Sequence, residues 1–299
     1  MQDHESGFTL IELSIVLVII GLIVGGILTG RDLIDIVFQR AQISQIEKYN
    51  TAVHTFRNKY GYLPGDIPGT PAAQFGFQPR GSLAGEGDGN GIIEGNGANM
   101  VGQNKGADTG DGEPALFWVD LTNANLIDQA ITVINGYPSA NTPYASPGIT
   151  STTSPTISQF LPIAKLGNNN FVYIFSANGT NYFGVSSVTN ITYDVASTAN
   201  PGITVQQAYN IDSKIDDGMP QLGGITACYV NSNVTAGLTS WAAGGNVSGA
   251  GSPNCASGTG AVSYAATNCY DNNGVAGNRK YSLTQNATVQ NCALSFKFR

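Results

Sequence analysis

The chain has 299 residues, of which 41% are apolar and 11% are charged, so it is long enough for one large domain or for a domain with an appendage. The 38 glycines, together with Asn, Ser and Thr in the second half, favour a loop-rich β domain over a helical one. The formal net charge of -7 with only 13 Lys and Arg argues against nucleic acid as a partner, because phosphate recognition depends on clusters of cations.

The N-terminal segment, residues 8–30, reads FTLIELSIVLVIIGLIVGGILTG and contains a single charge, Glu12. It is long enough to span a membrane as a helix. A cleaved secretory signal would have a basic start, a shorter apolar run and a small-residue cleavage site. A plain membrane anchor gives no reason for a carboxylate inside the apolar run, where it is costly and usually functional. The pattern therefore predicts that Glu12 has a partner.

The stretch from Gly7 to Glu12, GFTLIE, resembles the processing site of type IV prepilins and of the pseudopilins of type II secretion. In that family a membrane peptidase cuts after the glycine and methylates the new amine. The resemblance implies a leader of residues 1–7, cleavage between Gly7 and Phe8, and an N-methylated Phe8. It also implies that Glu12 neutralises the amine of the neighbouring subunit inside an apolar filament core. The leader departs from the family in having no Lys or Arg.

The same resemblance implies a structural subunit of a type IV pilus or pseudopilus. Its partners would be copies of itself and related pilins, the prepilin peptidase, the inner-membrane assembly platform and the membrane. The chain would reside in the bacterial inner membrane with its head in the periplasm, and then in an extracellular pilus or a periplasmic pseudopilus. The alternative is a membrane-anchored calcium-binding adhesin or surface module that does not polymerise. Glu12 favours the filament, because only polymerisation gives its carboxylate a partner.

Beyond residue 30 the apolar pattern becomes amphipathic, which predicts that one helix runs from Phe8 to near Lys59. Its second half, residues 31–60, would pack on a globular head formed by residues 61–299. Gly61 and Pro64 end the pattern. One helical stripe recurs at steps of three and four residues, with Gln45 outside it: Ile46, Tyr49, Val53, Phe56 and Tyr60.

A long excursion rich in Gly, Asn and Asp, from about residue 78 to 113, contains alternating oxygen side chains at Glu86, Asp88 and Asn90. This is the front half of a calcium loop, in which such oxygens converge on the ion and a following glycine makes the turn. The closing glutamate is missing, and four later acids are candidates to supply it: Glu94, Asp108, Asp111 and Glu113. Pseudopilins hold calcium in a comparable loop, so we predict calcium as a ligand. A solvated acidic turn is the alternative.

The head is predicted to combine two helices with an antiparallel sheet. The helices are expected at 114–127 and 205–218, and Asp212, Asp216 and Asp217 are interpreted as a solvent-facing turn at the end of the second. Strands are predicted at 171–175, 182–185, 224–230 and 292–298. The fold class is therefore α+β, with a long N-terminal helix, membrane-spanning in its first half, packed against an antiparallel head with long loops.

All four cysteines lie in the last quarter of the chain, and their spacing does not suit a zinc site. They predict two disulfides and an oxidising compartment. The resemblance to pilin heads implies Cys269 with Cys292, which leaves Cys228 with Cys255. A nested pairing, Cys228 with Cys292 and Cys255 with Cys269, and the crossed pairing stay open from the sequence.

Enzymatic chemistry is not expected. The chain has two histidines, of which only His54 would remain after processing, so a histidine-based triad or a multi-histidine metal site is not expected. The triplet Asp108-Thr109-Gly110 spells the aspartic-protease signature. That reaction needs a second copy to share a proton, and the sequence has none. The sequence also lacks a phosphate-binding or dinucleotide-binding glycine motif.

Overall fold

The structure of the chain is a computed structural model. The described residues are 9–80, 87–94, 112–131, 149–150, 157–177, 179–192, 195–231, 240–242, 268–271, 280–283 and 287–298. Within them the fold is α+β, as the sequence predicts.

The long N-terminal helix, α1, runs without a break from Leu10 to Tyr60. Its length of 51 residues corresponds to about 75 Å at the usual rise per residue. The helix ends where Gly61 adopts φ of 84° and its amide donates to the Arg57 carbonyl. This is the left-handed glycine cap that commonly closes helices, so the predicted end near residue 60 is confirmed.

The two halves of α1 have different surroundings. The side chains described from Leu10 to Phe38 lie largely in solvent, and Gln39 is the first buried residue of the helix. From there the predicted apolar stripe packs on the head, and the ring centroids of Tyr49 and Trp118 lie 4.9 Å apart. Trp118 is 1% exposed, so burial of the second half anchors the head on the helix.

One prediction for α1 is wrong, because Gln45 is buried at the head interface rather than outside it. Its Nε2 donates to the Ile163 carbonyl at 2.9 Å, and its Oε1 accepts from the Lys165 amide at 3.1 Å. Gln42 is buried as well and accepts from the Leu166 amide. A polar side chain is tolerated in such a place when a loop supplies its hydrogen bonds, and this partner was not readable from helix periodicity.

Three shorter helices follow in the described chain: α2, Gly69–Phe75; α3, Gly112–Asn123; and α4, Val205–Ile215. Helix α3 corresponds to the helix expected at 114–127, but it begins two residues earlier and ends four residues earlier. Its middle, from Leu116 to Leu121, is almost wholly buried. Thr204 is the N-cap of α4, and its hydroxyl oxygen accepts from the Gln207 amide. The helix ends at Ile215, three residues before Gly218, where the sequence predicted its end.

The main sheet is antiparallel and is organised around one long strand. It contains six strands: β1, Ile149–Thr150; β2, Phe171–Ala177; β3, Thr180–Thr192; β4, Val195–Asn200; β5, Ile225–Thr226; and β10, Leu294–Lys297. The first half of β3 pairs with β2 and β10, and its second half pairs with β4 and β1. Strand β10 also pairs with β5. The single strand expected at 224–230 is instead two strands: β5, and a separate strand, β6, at Cys228–Tyr229.

Two small hairpins complete the described sheet structure. Strand β6, Cys228–Tyr229, pairs with β7, Ser240–Trp241, and β8, Tyr270–Asp271, pairs with β9, Lys280–Tyr281. Cys269 and Cys292 form a disulfide with a Cα separation of 4.9 Å. This bond is the one that the resemblance implies, and it excludes the nested and crossed pairings. Cys228 is also disulfide-bonded. Cys255 lies outside the described residues, so its pairing stays a prediction.

Candidate functional site

The start of α1 is built by a reciprocal cap between Thr9 and Glu12. The Glu12 Oε2 accepts from the Thr9 amide at 2.8 Å and from the Thr9 hydroxyl at 2.7 Å. The Thr9 hydroxyl oxygen in turn accepts from the Glu12 amide at 3.4 Å. This capping box satisfies two helix-terminal amides. Its sequence signature, Thr-x-x-Glu before an apolar run, is present at Thr9 and Glu12, although the cap was not among the predictions.

Glu12 therefore has hydrogen-bond partners within its own subunit, so the expectation that only polymerisation gives its carboxylate a partner is wrong. The carboxylate lies in the first turn of an apolar helix. The window Leu10–Ile27 has a mean hydropathy of 2.7 and none of it is buried inside the protein, so by length and composition this helix is able to cross a membrane. Gly7 and Phe8 lie outside the described residues. The structural support for a membrane anchor is therefore α1 itself, which begins at Leu10.

A second candidate site brings three carboxylates together in the head. One oxygen each of Asp66, Asp88 and Glu113 lie within 4.8 Å of one another. Asp66 comes from the turn after α1, Asp88 from the glycine-rich loop, and Glu113 from the first turn of α3. Asp66 and Glu113 are buried, whereas Asp88 is exposed. The site is thus open on one side.

Backbone amides of the loop point at the two buried carboxylates. Asp66 accepts from Gly89 at 2.7 Å and from Gly91 at 2.8 Å. Glu113 accepts from the amides of Gly87 and Glu94, both at 2.8 Å. Four amides thus orient these carboxylates, and the Asp66 and Glu113 carboxyl groups are also hydrogen-bonded to each other.

The loop is also attached to the sheet. The Ile93 amide donates to Asn181 Oδ1 at 2.8 Å, and the Asn181 side-chain amide donates to the Gly91 carbonyl. The Ser176 hydroxyl donates to the Ile93 carbonyl at 2.7 Å. Since Ser176 and Asn181 flank the turn between β2 and β3, the strand hairpin positions the acidic loop against Asp66 and Glu113.

Two glycines allow the close approach of these segments. Gly65 has φ of 84°, and a Cβ there would collide with the Glu113 carbonyl. Gly87 has φ of 64°, and its Cβ would meet the Ile67 carbonyl at 2.7 Å. Both positions combine a left-handed backbone with contact to another chain segment, so only glycine fits without rearrangement.

The buried acids have altered proton affinities. Burial raises the pKa of Asp66 to about 6, and the charge of Asp88 acts in the same direction. Burial and the charge of Asp66 raise the pKa of Glu113 well above its ordinary value. Two neighbouring buried carboxylates oppose each other's ionisation, so a shared proton or a bound cation would stabilise them.

The predicted oxygen ligands are thus only partly assembled here. Asp88 and Glu113 belong to the described cluster, whereas the Asn90 side chain bonds locally to Asp88 and accepts from the Ile92 amide. Glu94 is buried beside them. Glu86, Asp108 and Asp111 lie outside the described residues. Asp66 was not among the predicted ligands, because it lies 22 residues before Asp88 in the sequence and only the fold brings it next to the loop.

The second acidic group corrects an interpretation from the sequence. Asp212 is fully buried rather than solvent-facing. Its carboxylate accepts from the Tyr281 hydroxyl at 2.8 Å and from the Gly218 amide at 3.2 Å. Asp216 accepts from the amides of Gly224 and Ile225. These bonds connect the end of α4 to β5 and β9, so the role of this group is structural.

Burial raises the pKa of Asp212 to about 7 from 3.8, against the opposing effect of the Tyr281 hydrogen bond. Its contribution to stability is complete below the unfolded pKa and is lost as the pH rises through about 7. In chelator, we therefore expect Asp212→Asn to reduce the decline in the free energy of unfolding between pH 6 and pH 8. Denaturant titrations of the full chain in detergent measure this. The exposed Glu47→Gln is the control, and an unchanged slope in Asp212→Asn would contradict the assignment.

Comparison with known proteins finds one similarity, at the N-terminus. The family model described as the prokaryotic N-terminal methylation motif matches residues 3–28. That range includes Gly7, Phe8 and Glu12 and the whole membrane-compatible window, Leu10–Ile27. No curated protein and no solved structure gives a significant match.

Proposed function

We propose that this chain, a precursor carrying the prepilin-type methylation motif of type IV pilins and pseudopilins, is a structural subunit of a pilus or pseudopilus filament. The single observation that carries the proposal is the motif at residues 3–28, which continues into an unbroken helix of 51 residues with a head on its second half. In this function the prepilin peptidase cleaves between Gly7 and Phe8 and methylates Phe8. The assembly platform then adds the subunit to copies of itself.

The exposed apolar half of α1 supports polymerisation. In the membrane its side chains face lipid, and in a filament they would face neighbouring helices. Glu12 then has two successive roles. In the single subunit it caps its own helix through Thr9. In the filament it would also neutralise the terminal amine of a neighbour, since an unpaired charge in an apolar core costs several kcal/mol. Before assembly the chain would be held in the inner membrane with its head in the periplasm.

The processing step is tested by the mass of the mature protein. We expect intact-mass analysis of the subunit purified from its own cells to give a chain that begins at Phe8 and carries one added methyl group. Cells lacking the prepilin peptidase provide the control and should retain the leader. A mature chain that begins at Met1 or near Arg31 would contradict the proposal.

We propose in addition that the Asp66, Asp88 and Glu113 cluster binds calcium. The proposal is supported by three carboxylates within 4.8 Å, which is the hard oxygen donor set that calcium prefers. The charges acting on Asp66 and Glu113 in the described part of the chain are those of other acids. A divalent cation would offset this repulsion and would fasten the loop to α3 and to the turn after α1.

Calcium is expected to raise the melting temperature of the full chain in detergent, relative to chelator. At about 100 times its dissociation constant, a ligand that binds only the folded state adds about 2.7 kcal/mol. Asp88→Asn should remove most of this shift. Asp217→Asn is a matched control, because both aspartates are exposed and both accept from the amide two residues later. No calcium-dependent shift in the wild-type chain would leave the solvated acidic turn as the interpretation.

A further inference from the structure

A groove lies between α1 and two loops of the head, at the level where the helix first meets the head. It has a volume of about 510 Å³. We call it the stem groove and define it by six of its lining residues: Ser44, Lys48, Leu126, Asp128, Ile163 and Lys165.

The wall of the stem groove is fixed by Gln45. This side chain donates to the Ile163 carbonyl and to the Tyr49 hydroxyl, each at 2.9 Å, and accepts from the Lys165 amide. Because the same loop residues whose backbone is held here also line the groove, the groove is formed before any partner arrives.

The stem groove presents an apolar surface with three charges. Ile163 is 51% exposed, and Lys48, Lys165 and Asp128 are exposed beside it. The ion pair that the structure describes is that of Arg80 with Asp120, so these three charges have no ionic partner among the described residues. A complementary partner would therefore be apolar and would carry a carboxylate and a cation.

The chain itself contains such a partner in residues 31–38 of α1, which we call the stalk segment. Five of its large apolar residues are 43% to 63% exposed: Leu33, Ile34, Ile36, Val37 and Phe38. At 100° per residue these side chains spread over about 200° of the helix circumference, and Arg31 and Asp35 lie in the remaining sector. An arc of this width offers a contact surface beyond the face that continues into the subunit's own head. Arg31 and Asp35 supply the cation and the carboxylate, one helical turn apart.

The position and length of the stalk segment also fit a second copy. It lies after the membrane-compatible window, Leu10–Ile27, and before Gln39, where burial by the subunit's own head begins. Its eight residues span about 12 Å, as does α1 between Ala41 and Tyr49 along the groove. Large exposed apolar surfaces of this kind mark sites of association.

We propose that the stem groove of one subunit receives the stalk segment of a neighbouring copy of this chain, with Lys48 and Lys165 facing Asp35 and with Asp128 facing Arg31. The proposal rests on the filament function proposed above and names the contact by which a head engages its neighbour's helix.

Disulfide crosslinking in cells that assemble the filament tests this contact. The full chain carries Phe38→Cys with Ile163→Cys, because Phe38 lies on the same side of α1 as Arg31 and Asp35. Mild oxidation of intact filaments should produce a ladder of covalently joined subunits. The three cysteines that the structure describes, Cys228, Cys269 and Cys292, are disulfide-bonded and offer no free thiol that would compete. The control pair, Phe38→Cys with Ser213→Cys, places the second cysteine on the exposed side of α4 and should give no ladder.

Charge reversal provides an independent measurement. We expect Lys165→Glu and Asp35→Lys each to lower filament yield by roughly fivefold at equal membrane levels of the subunit, the upper range for an exposed ion pair. The combination should restore most of the yield, because it recreates the opposite charges in exchanged positions.

The outcomes separate the two proposals. Failure of the wild-type chain to form filaments would overturn the filament function and the docking contact together. Wild-type filaments whose designed cysteine pair gives no ladder, or no more ladder than the control pair, would overturn the docking contact alone. A combination that yields no more filament than the single reversals would contradict the proposed charge pairing.

Discussion

Glu12→Gln is expected to abolish filaments while the precursor still enters the membrane. Glutamine keeps the acceptor that caps Thr9 but has no charge to pair with a neighbour's terminal amine. Removal of one partner of a buried pair typically costs about 3 to 5 kcal/mol, which repeats at every subunit of a filament. Electron microscopy of sheared filaments, with immunoblots of the membrane fraction, measures both quantities.

Glu12→Ala is the matched control for the helix cap, because it removes the cap and the charge together. If the charge decides assembly, glutamine and alanine should be equally defective. Normal filaments from the glutamine variant and none from alanine would show that the cap of α1, rather than the amine pairing, is what assembly requires.

Replacement of both Cys269 and Cys292 by alanine is expected to lower the free energy of unfolding by about 3 to 4 kcal/mol, as the chain-entropy estimate gives for a sequence separation of 23. The bond holds β8 and β9 against the final segment, since the Ser282 amide donates to the Cys269 carbonyl, and Ile203 and Cys292 exchange backbone hydrogen bonds. Denaturant titration of the full chain in detergent measures the loss.

Reduction of the wild-type chain should cause at least as large a loss, because it also opens the bond of Cys228. The loss in the double variant therefore measures the contribution of the Cys269–Cys292 bridge, and the additional loss on reduction measures that of the Cys228 bridge. A double variant within about 1 kcal/mol of the wild type would contradict a stabilising role for the Cys269 bridge.

The sequence by itself determined the features whose signals are local and periodic. The apolar run, the stripe from Ile46 to Phe56 and the terminal Gly61 predict α1 almost to the residue, because helix burial repeats every 3.6 residues. The processing motif is a contiguous run, and the family model matches it independently. The antiparallel strands around Phe171 and Phe296 were also readable from β-branched and aromatic residues.

Only the tertiary structure decided the contacts between segments that are distant in the chain. Asp66 joins Asp88 and Glu113 because the turn after α1, the acidic loop and α3 converge beside β2 and β3. Gln45 is buried because a distant loop bonds to its amide, and Asp212 is buried because Tyr281 lies over the end of α4. In each case residues far along the sequence supply the hydrogen bonds of a polar side chain, and sequence periodicity carries no information about such partners.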